Sequence, residues 1–298
     1  MIFTDKRGQS YIVKVLLYVF LTMFALSIVY PLYYLFMYSF STYGGIASGS
    51  KNPFMLYPAG FTTKAYQMFF EQKYIYTGFG VTMFRSVVGT ILSVLCLSLA
   101  AYALSKKALP GRKLITGFFL VNMFFTGGLI PTYLIVKSVG LIDTIWVLVI
   151  LPLFSTYYMM ILRSYYLGIH ESLEEAARID GADDLRIFFS IIVPVTLPAM
   201  ATIATWVFFG HWNSWFDSMI YINSTSRQVL QVHIRRLVIE QSTMLLSGQY
   251  IVSGKAEQPT EASINAAGIM ITIIPVLVIY PFVRKYFTKG MTLGAVKE

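Results

Sequence analysis

Three sets of residues in this 298-residue chain have types and spacings that could do chemistry or recognition. The densest is "SLEEAARIDGADDLRIF", residues 172–188, which carries Glu174, Glu175, Asp180, Asp183 and Asp184. Acids gathered in this way face basic groups or water. A second set is Gly210, Asn213, Ser214 and Asp217, spaced i, i+3, i+4, i+7, with Trp206 one turn earlier. On one helix these share a face. Polar groups beside an aromatic ring suit a sugar, whose hydroxyls are polar and whose CH faces stack on rings. Packing between helices, or an aromatic belt at a membrane interface, is the competing reading. The histidines form the third set. His211, next to Trp212, reads as a lining or interface polar group rather than a proton relay, since the sequence places no carboxylate against it. His170 and His233 fall in different loops and make no metal site.

The elements that must position these residues are membrane helices. The chain is 56% hydrophobic and 12% charged, with a mean hydropathy of +0.65. Soluble domains carry about 25% charged residues, so the composition points to an integral membrane protein. The net charge of +9 is first a topology signal, because Lys and Arg collect in cytoplasmic loops. No clustered basic face suggests nucleic acid. The one cysteine, Cys96, excludes an internal disulfide and reads as a small core residue.

Spans need about 20 apolar residues. Six are expected, at about Val15–Met37, Met83–Leu104, Leu114–Val136, Ile145–Leu162, Phe189–Phe209 and Ala266–Phe287. The fold class is thus all-α and membrane-embedded. The first run is too long for a secretory signal. Lys6, Arg7, Lys14, the loop "SKKALPGRK" (Ser105–Lys113) and the basic tail "RKYFTKGMTLGAVKE" put both termini in the cytoplasm. The acid-rich segment is then cytoplasmic as well. Outer loops at about Ser41–Gly80, Ser138–Thr144 and Ile222–Ile264 form either a surface for an outside protein or a solvated cap. Arg227, Arg235 and Arg236 in the last of them suit an acidic sugar, an acidic protein face, or no specific partner.

Eight charged residues lie between Glu171 and Arg186. Each would cost about 2.5–3.5 kcal/mol at the centre of a bilayer, so the segment leaves it. Ser172 and Glu175 have capping-box spacing. Leu173, Ala176 and Ala177 share a face, and Gly181 can stop the helix with a positive φ. A helix of two turns is marginal alone in water. It needs a partner to dock on, and small alanines allow close approach.

"EEAARIDGADDLRIFFSIIVP" resembles the EAA loop of binding-protein-dependent ABC importer permeases: Glu175-Ala176-Ala177, Gly181, Ile191 and Pro194 match, and Val193 stands where the family has Leu. "LAAYALSKKALPGRK", "FTGGLIPTYLIVKSVGLIDT", "GHWNSWFDSMIYI" and "KYFTKGMTLGAVKE" resemble the carbohydrate branch, in particular the maltose-type second permease and the group handling polysaccharide-derived oligosaccharides. The family's second helix usually opens with Asn-Ser, whereas this chain has Arg85-Ser86.

The resemblance implies a type I importer transmembrane domain: an N-terminal tail, first helix and outer loop over 1–80, a permease core over 81–287 with its EAA loop at 171–194, and a tail over 288–298. It implies a heterodimer with a second permease, two ATPase subunits that bind ATP and Mg, a solute-binding protein outside, and an oligosaccharide as solute. Glu174, Glu175, Ala176, Ala177, Asp180 and Gly181 are then the coupling residues, with Glu175 capping the helix and the alanines fitting a groove. By the same resemblance "FSTYYMMIL" is a lining element, adding Phe154, Ser155 and Tyr158 to Trp206, Gly210, His211, Asn213, Ser214 and Asp217. No cofactor or metal is expected in this chain. "SGKAEQ", around Gly254-Lys255, lacks the spacing and the Ser/Thr of a phosphate-binding loop. The chain is therefore read as non-catalytic. The alternatives are an ABC permease for another kind of solute and a stand-alone ion-coupled transporter. The latter would need ionisable residues within the spans, where Arg85 and Asp217, near helix ends, are the candidates.

Overall fold

A computed structural model describes residues 11–48, 52–246 and 257–295. Lys6, Arg7 and the Gly254-Lys255 fragment lie outside them. In chain order the helices are α1 (Tyr11–Ser39), α2 (Tyr43–Ala47), α3 (Lys64–Phe70), α4 (Lys73–Ser105), α5 (Arg112–Phe124), α6 (Leu129–Ser138), α7 (Val147–Ile150) and α8 (Thr156–Leu167). They continue as α9 (Glu171–Ile179), α10 (Asp184–Ile187), a π turn at Phe188–Ile192, α11 (Val193–Asn213), α12 (Phe216–Tyr221), α13 (Leu230–Leu246) and α14 (Glu261–Ala295). The described residues are mostly helical.

The chain divides into two compact units, residues 1–72 with 234–274 and residues 73–233 with 275–298. In the first, α1 is apolar all round and nearly every side chain from Tyr11 to Pro31 is exposed. Such a surface is stable against lipid or another apolar helix. The segment after it is tied down by polar contacts. Tyr33 donates to the Leu56 carbonyl at 2.7 Å, Ser39 and Tyr66 hydroxyls meet at 2.7 Å, and Ser263 donates to the Ser41 carbonyl at 3.0 Å.

The second unit is built on α4. Its buried side is mostly small or hydroxylated: Gly78, Thr82, Ser86, Gly89, Ser93, Ser98 and Ala101. Small residues let helix backbones approach where no aqueous hydrophobic effect draws them together. α8 and α11 pack along this side. Their shared core includes Leu97, Met159, Leu162, Ile187, Phe188, Ile192 and Ile203. A second cluster joins Val136, Val147, Leu148, Tyr221, Ile222, Val229 and Val232.

Among the described residues four helices are long and apolar enough to cross a membrane: Tyr11–Ser39, Lys73–Ser105, Asp184–Asn213 and Glu261–Pro281. The expected third span is not one rod. α5 and α6 meet at a 115° bend, where Gly127 and Gly128 break the helix and Gly128 takes a φ of +84°. The expected fourth span is also divided, into α7 and α8, by a non-helical stretch carrying Pro152. The second span starts ten residues before its expected limit, at Lys73. The π turn directly precedes Pro194 and Pro198, which lack the N–H that a regular ladder requires.

Candidate functional site

Two sites emerge in the second unit, one within the spans and one at the end of α4. The first begins with Arg85, whose side chain is only 1% exposed. Its Nη1 donates to Asp217 Oδ1 at 3.1 Å and its Nη2 to Asp217 Oδ2 at 2.6 Å. Nη1 also donates to the Ser214 carbonyl at 3.1 Å. Asp217 further accepts from the Ser214 hydroxyl and the Ser218 amide, both at 2.9 Å. A buried charge must be paired in this way, and Arg–carboxylate forks are the strongest such pairs.

The pair explains a departure from the expected helix face. Gly210, Asn213, Ser214 and Asp217 do not share one helix. α11 stops at Asn213, Ser214 is extended, and a new helix starts at Phe216. Arg85 fastens this break to α4. A second break, at residues 151–155, stands opposite. Non-helical backbone at membrane depth is tolerated where it is buried or lines a cavity. A cavity of about 230 Å³ does lie there, lined by Arg85, Ser93, Leu97, Pro152, Leu153, Ser155, Tyr158, Trp206, Val207, Gly210, His211 and Ser214.

Six of the nine expected lining residues are thus brought together: Ser155, Tyr158, Trp206, Gly210, His211 and Ser214. Tyr158 and Trp206 rings are 5.9 Å apart, tilted by 33°. His211 is buried against Gly89, where an added Cβ would stand 2.5 Å from its Nε2. Three expected residues do not line the cavity. Phe154 stacks on Phe119 at 5.2 Å, Asn213 is exposed, and Asp217 sits behind Arg85. Arg85, Ser93 and the 151–153 turn were not among the expected lining residues. The signals were a basic residue inside a span and Pro152 within an apolar run.

The second site is α9. The expected capping box does not form: the helix starts at Glu171 with His170 at its N-cap and no side-chain cap. Ser172 is already inside the first turn, so Glu175 has no cap to close. Glu171 and Glu174 fall in that turn, where the helix dipole favours acids. The other end agrees with expectation. Gly181 has φ +81°, its N–H bonds the Arg178 carbonyl at 3.0 Å, and the Ala182 N–H bonds the Ala177 carbonyl at 2.9 Å. This is a Schellman stop.

The two alanines part company. Ala177 is buried in the core, while Ala176 is exposed with Leu173, Glu175 and Ile179. Glu174 turns back to its own chain, forming an ion pair with Lys106 and accepting from the Tyr102 hydroxyl at 3.4 Å. Lys106 also lies over the Tyr102 ring, 4.1 Å from its centre. Lys107 pairs with Glu171 at 2.7 Å, and this hydrogen bond holds the Glu171 carboxyl below its ordinary pKa. Asp180 is exposed at the helix end. Asp183 caps α10 through the Arg186 amide at 2.8 Å, and Arg178 reaches Asp184 at 2.5 Å.

Elsewhere, Arg227 donates to the Asp143 carbonyl at 2.5 Å. Asp143 in turn accepts from the Asn223 and Ser224 amides at 3.0 and 2.8 Å. His233 is buried beside Tyr74, rings 5.8 Å apart, on α13 rather than in a loop.

Spans are thus broken around a small cavity, and a charged helix is set on the same bundle. No family model matches the chain. It is 39% identical over 282 residues, 95% of this chain and 97% of the relative, to the polygalacturonan/rhamnogalacturonan transport system permease protein YtcP of Bacillus subtilis (strain 168). It is 34% identical over 267 residues, 90% and 88% of the two chains, to Protein LplC of the same organism. Among solved structures, a chain of a bacterial ABC transporter involved in the import of the acidic polysaccharide alginate aligns over 96% of this chain and 100% of that one, with a TM-score of 0.81 and 29% identity. The chain belongs to the ABC transporter permease family and is a multi-pass protein of the cytoplasmic membrane.

Proposed function

We propose that this chain is one of two transmembrane subunits of an ATP-driven oligosaccharide importer, and that α9 carries the motion of ATPase subunits into the bundle. The observation that carries the reading is the two-sided build of α9. Ala177 and Glu174 fix it to its own chain, whereas Leu173, Glu175, Ala176 and Ile179 are left exposed, Ile179 by 85%. An exposed apolar and acidic face on an ordered helix suits a partner's groove. In this reading the chain makes six crossings, with both termini and α9 in the cytoplasm. ATP and Mg are bound by the partners. A second permease completes the path, and a solute-binding protein delivers the sugar from outside.

The cavity at Tyr158 and Trp206 is this subunit's contribution to the path. Two tilted aromatic rings with nearby hydroxyls suit a sugar ring. The relatives support a sugar too, one being named for polygalacturonan/rhamnogalacturonan and one described as importing alginate.

The test is Gly181→Pro. Proline fixes φ near −65° and has no N–H, so it opposes both the +81° backbone and the bond to Arg178. The assembled transporter should still insert but lose solute uptake, and its ATP hydrolysis should no longer respond to loaded binding protein. Normal uptake by this variant would refute the coupling role of α9. Failure of the chain to co-purify with ATPase subunits would refute the assembly.

A further inference from the structure

The Asp217 carboxylate occupies only one edge of Arg85. A guanidinium carries five N–H donors in a rigid plane. Nη1 and Nη2 form its end-on fork, and that fork holds Asp217. The adjoining edge, Nε–H with the second N–H of Nη2, forms another fork. Arg85 Nε is buried with no partner, and Arg85 lines the cavity. Two further lining residues are in the same condition. Ser93 Oγ and both ring nitrogens of His211 are buried without partners, on side chains 1% and 4% exposed. Buried donors left unmade cost about 1–3 kcal/mol each, and one such group ordinarily has an explanation. Three residues with such groups stand around this one cavity.

The cavity limits what that ligand is. At about 230 Å³ it falls below the roughly 300–1,000 Å³ of sites for drug-sized ligands. The cavity is partly open, so it takes one ring of a longer sugar whose other rings lie outside it. The shape of the free donors narrows the choice further. A planar fork matches two oxygens in one plane, as in a carboxylate, and pairs more weakly with single hydroxyls. The Arg85–Asp217 pair is neutral as a unit, and His211 and Ser93 add unpartnered polar atoms to the same lining.

We propose that Arg85 is the specificity-determining residue of the cavity, its free fork binding the carboxylate of one uronate ring stacked against Tyr158 and Trp206. The inference rests on the cavity lying on the sugar path.

The test uses the whole transporter, with its partners and binding protein, in proteoliposomes. Uptake of digalacturonate is compared with uptake of its methyl ester, which keeps the ring and loses the charge. Taking each as a ratio of variant to unmodified transporter cancels the binding protein's own preference. Arg85→Lys keeps a positive charge against Asp217 and removes the fork. Digalacturonate uptake should fall at least tenfold more than ester uptake does. Equal losses for both, or no loss for either, overturn the inference. If Arg85→Lys does not assemble, Ser93→Ala and His211→Gln must shift the acid-to-ester ratio in the same direction, and an unshifted ratio overturns it. Tyr158→Ala with Trp206→Ala separates the premise: unchanged uptake of both sugars takes the cavity off the path, whereas lost uptake with an unselective Arg85→Lys removes only the role of Arg85.

Discussion

The Arg85–Asp217 and Lys106–Glu174 pairs both tie α4, or the loop after it, to an acid far along the chain. Their surroundings differ. Arg85 and Asp217 side chains are 1% and 16% exposed, and the pair stands between two helix breaks. Lys106 and Glu174 are 28% and 16% exposed, at the water-facing end of α4. A third pair, Lys107–Glu171, is 75% and 69% exposed. Moving from the first pair to the third, water takes over the solvation of each charge. The partner shifts from a requirement to a convenience. Within the spans the pair fastens the break between α11 and α12 to α4. At the end of α4 the charges only orient a helix that the core already holds through Ala177.

Asp217→Ala is the variant that breaks this comparison most sharply. It leaves a buried guanidinium without its carboxylate, a loss of about 3–5 kcal/mol. The purified transporter should unfold at a markedly lower temperature, or this chain should fail to assemble. Replacing both partners, as Arg85→Met with Asp217→Leu, should restore most of the stability, since apolar pairs of similar volume often match a buried ion pair. Thermal unfolding of the three proteins is the measurement. If the double variant is as unstable as the single one, the pair holds more than its own charge.

These differences also set what could be read from the sequence. The acid-rich helix was legible in outline because its signals are local: acids, two alanines and a glycine within a dozen residues. The Gly181 stop followed from spacing alone. The start did not, since Ser172 and Glu175 fit a capping box that Glu171 and His170 displaced by beginning the helix earlier. The cavity was legible only in part. Ser155, Tyr158, Trp206, Gly210, His211 and Ser214 converge there, but the expected single face from Gly210 to Asp217 is interrupted at Ser214. Arg85, which fastens that break to α4, lies 129 residues away in sequence. Helical spacing carries no information about a contact of that range. The same limit hid the breaks in the third and fourth spans. Hydropathy counts apolar residues and passes over Gly127-Gly128 and Pro152, whose effect is on backbone geometry.

Lys106→Ala sharpens the comparison at a smaller scale. The half-buried ion pair and the stacking on Tyr102 are each worth roughly 0.5–1 kcal/mol in such settings. Stability should fall by about 1 kcal/mol, far less than for Asp217→Ala. The more telling readout is coupling. If Glu174 fixes the angle of α9, ATP hydrolysis per sugar imported should rise while the amount of assembled transporter stays the same. An unchanged ratio would make the pair structural only.

The smallest effect is expected at Lys107–Glu171, and it is one of conditions rather than of size. The Lys107 hydrogen bond, more than its charge alone, holds the Glu171 carboxyl below its ordinary value, which is about 4.3 for a free glutamate. A depressed folded pKa gives stability that is present above the unfolded value and lost as pH falls through the folded one. Any difference between the unmodified chain and Lys107→Ala should therefore appear near neutral pH and disappear on acidification below about pH 4. It should also shrink as salt rises, because exposed charges are screened within about 8 Å at physiological ionic strength. The effect of Asp217→Ala should depend less on salt, because buried pairs are screened far less than exposed ones. Unfolding temperatures for the two variants across pH and salt measure this directly. A Lys107 effect that survives high salt would place the pair inside the assembled interface and erase the contrast between the two ends of α4.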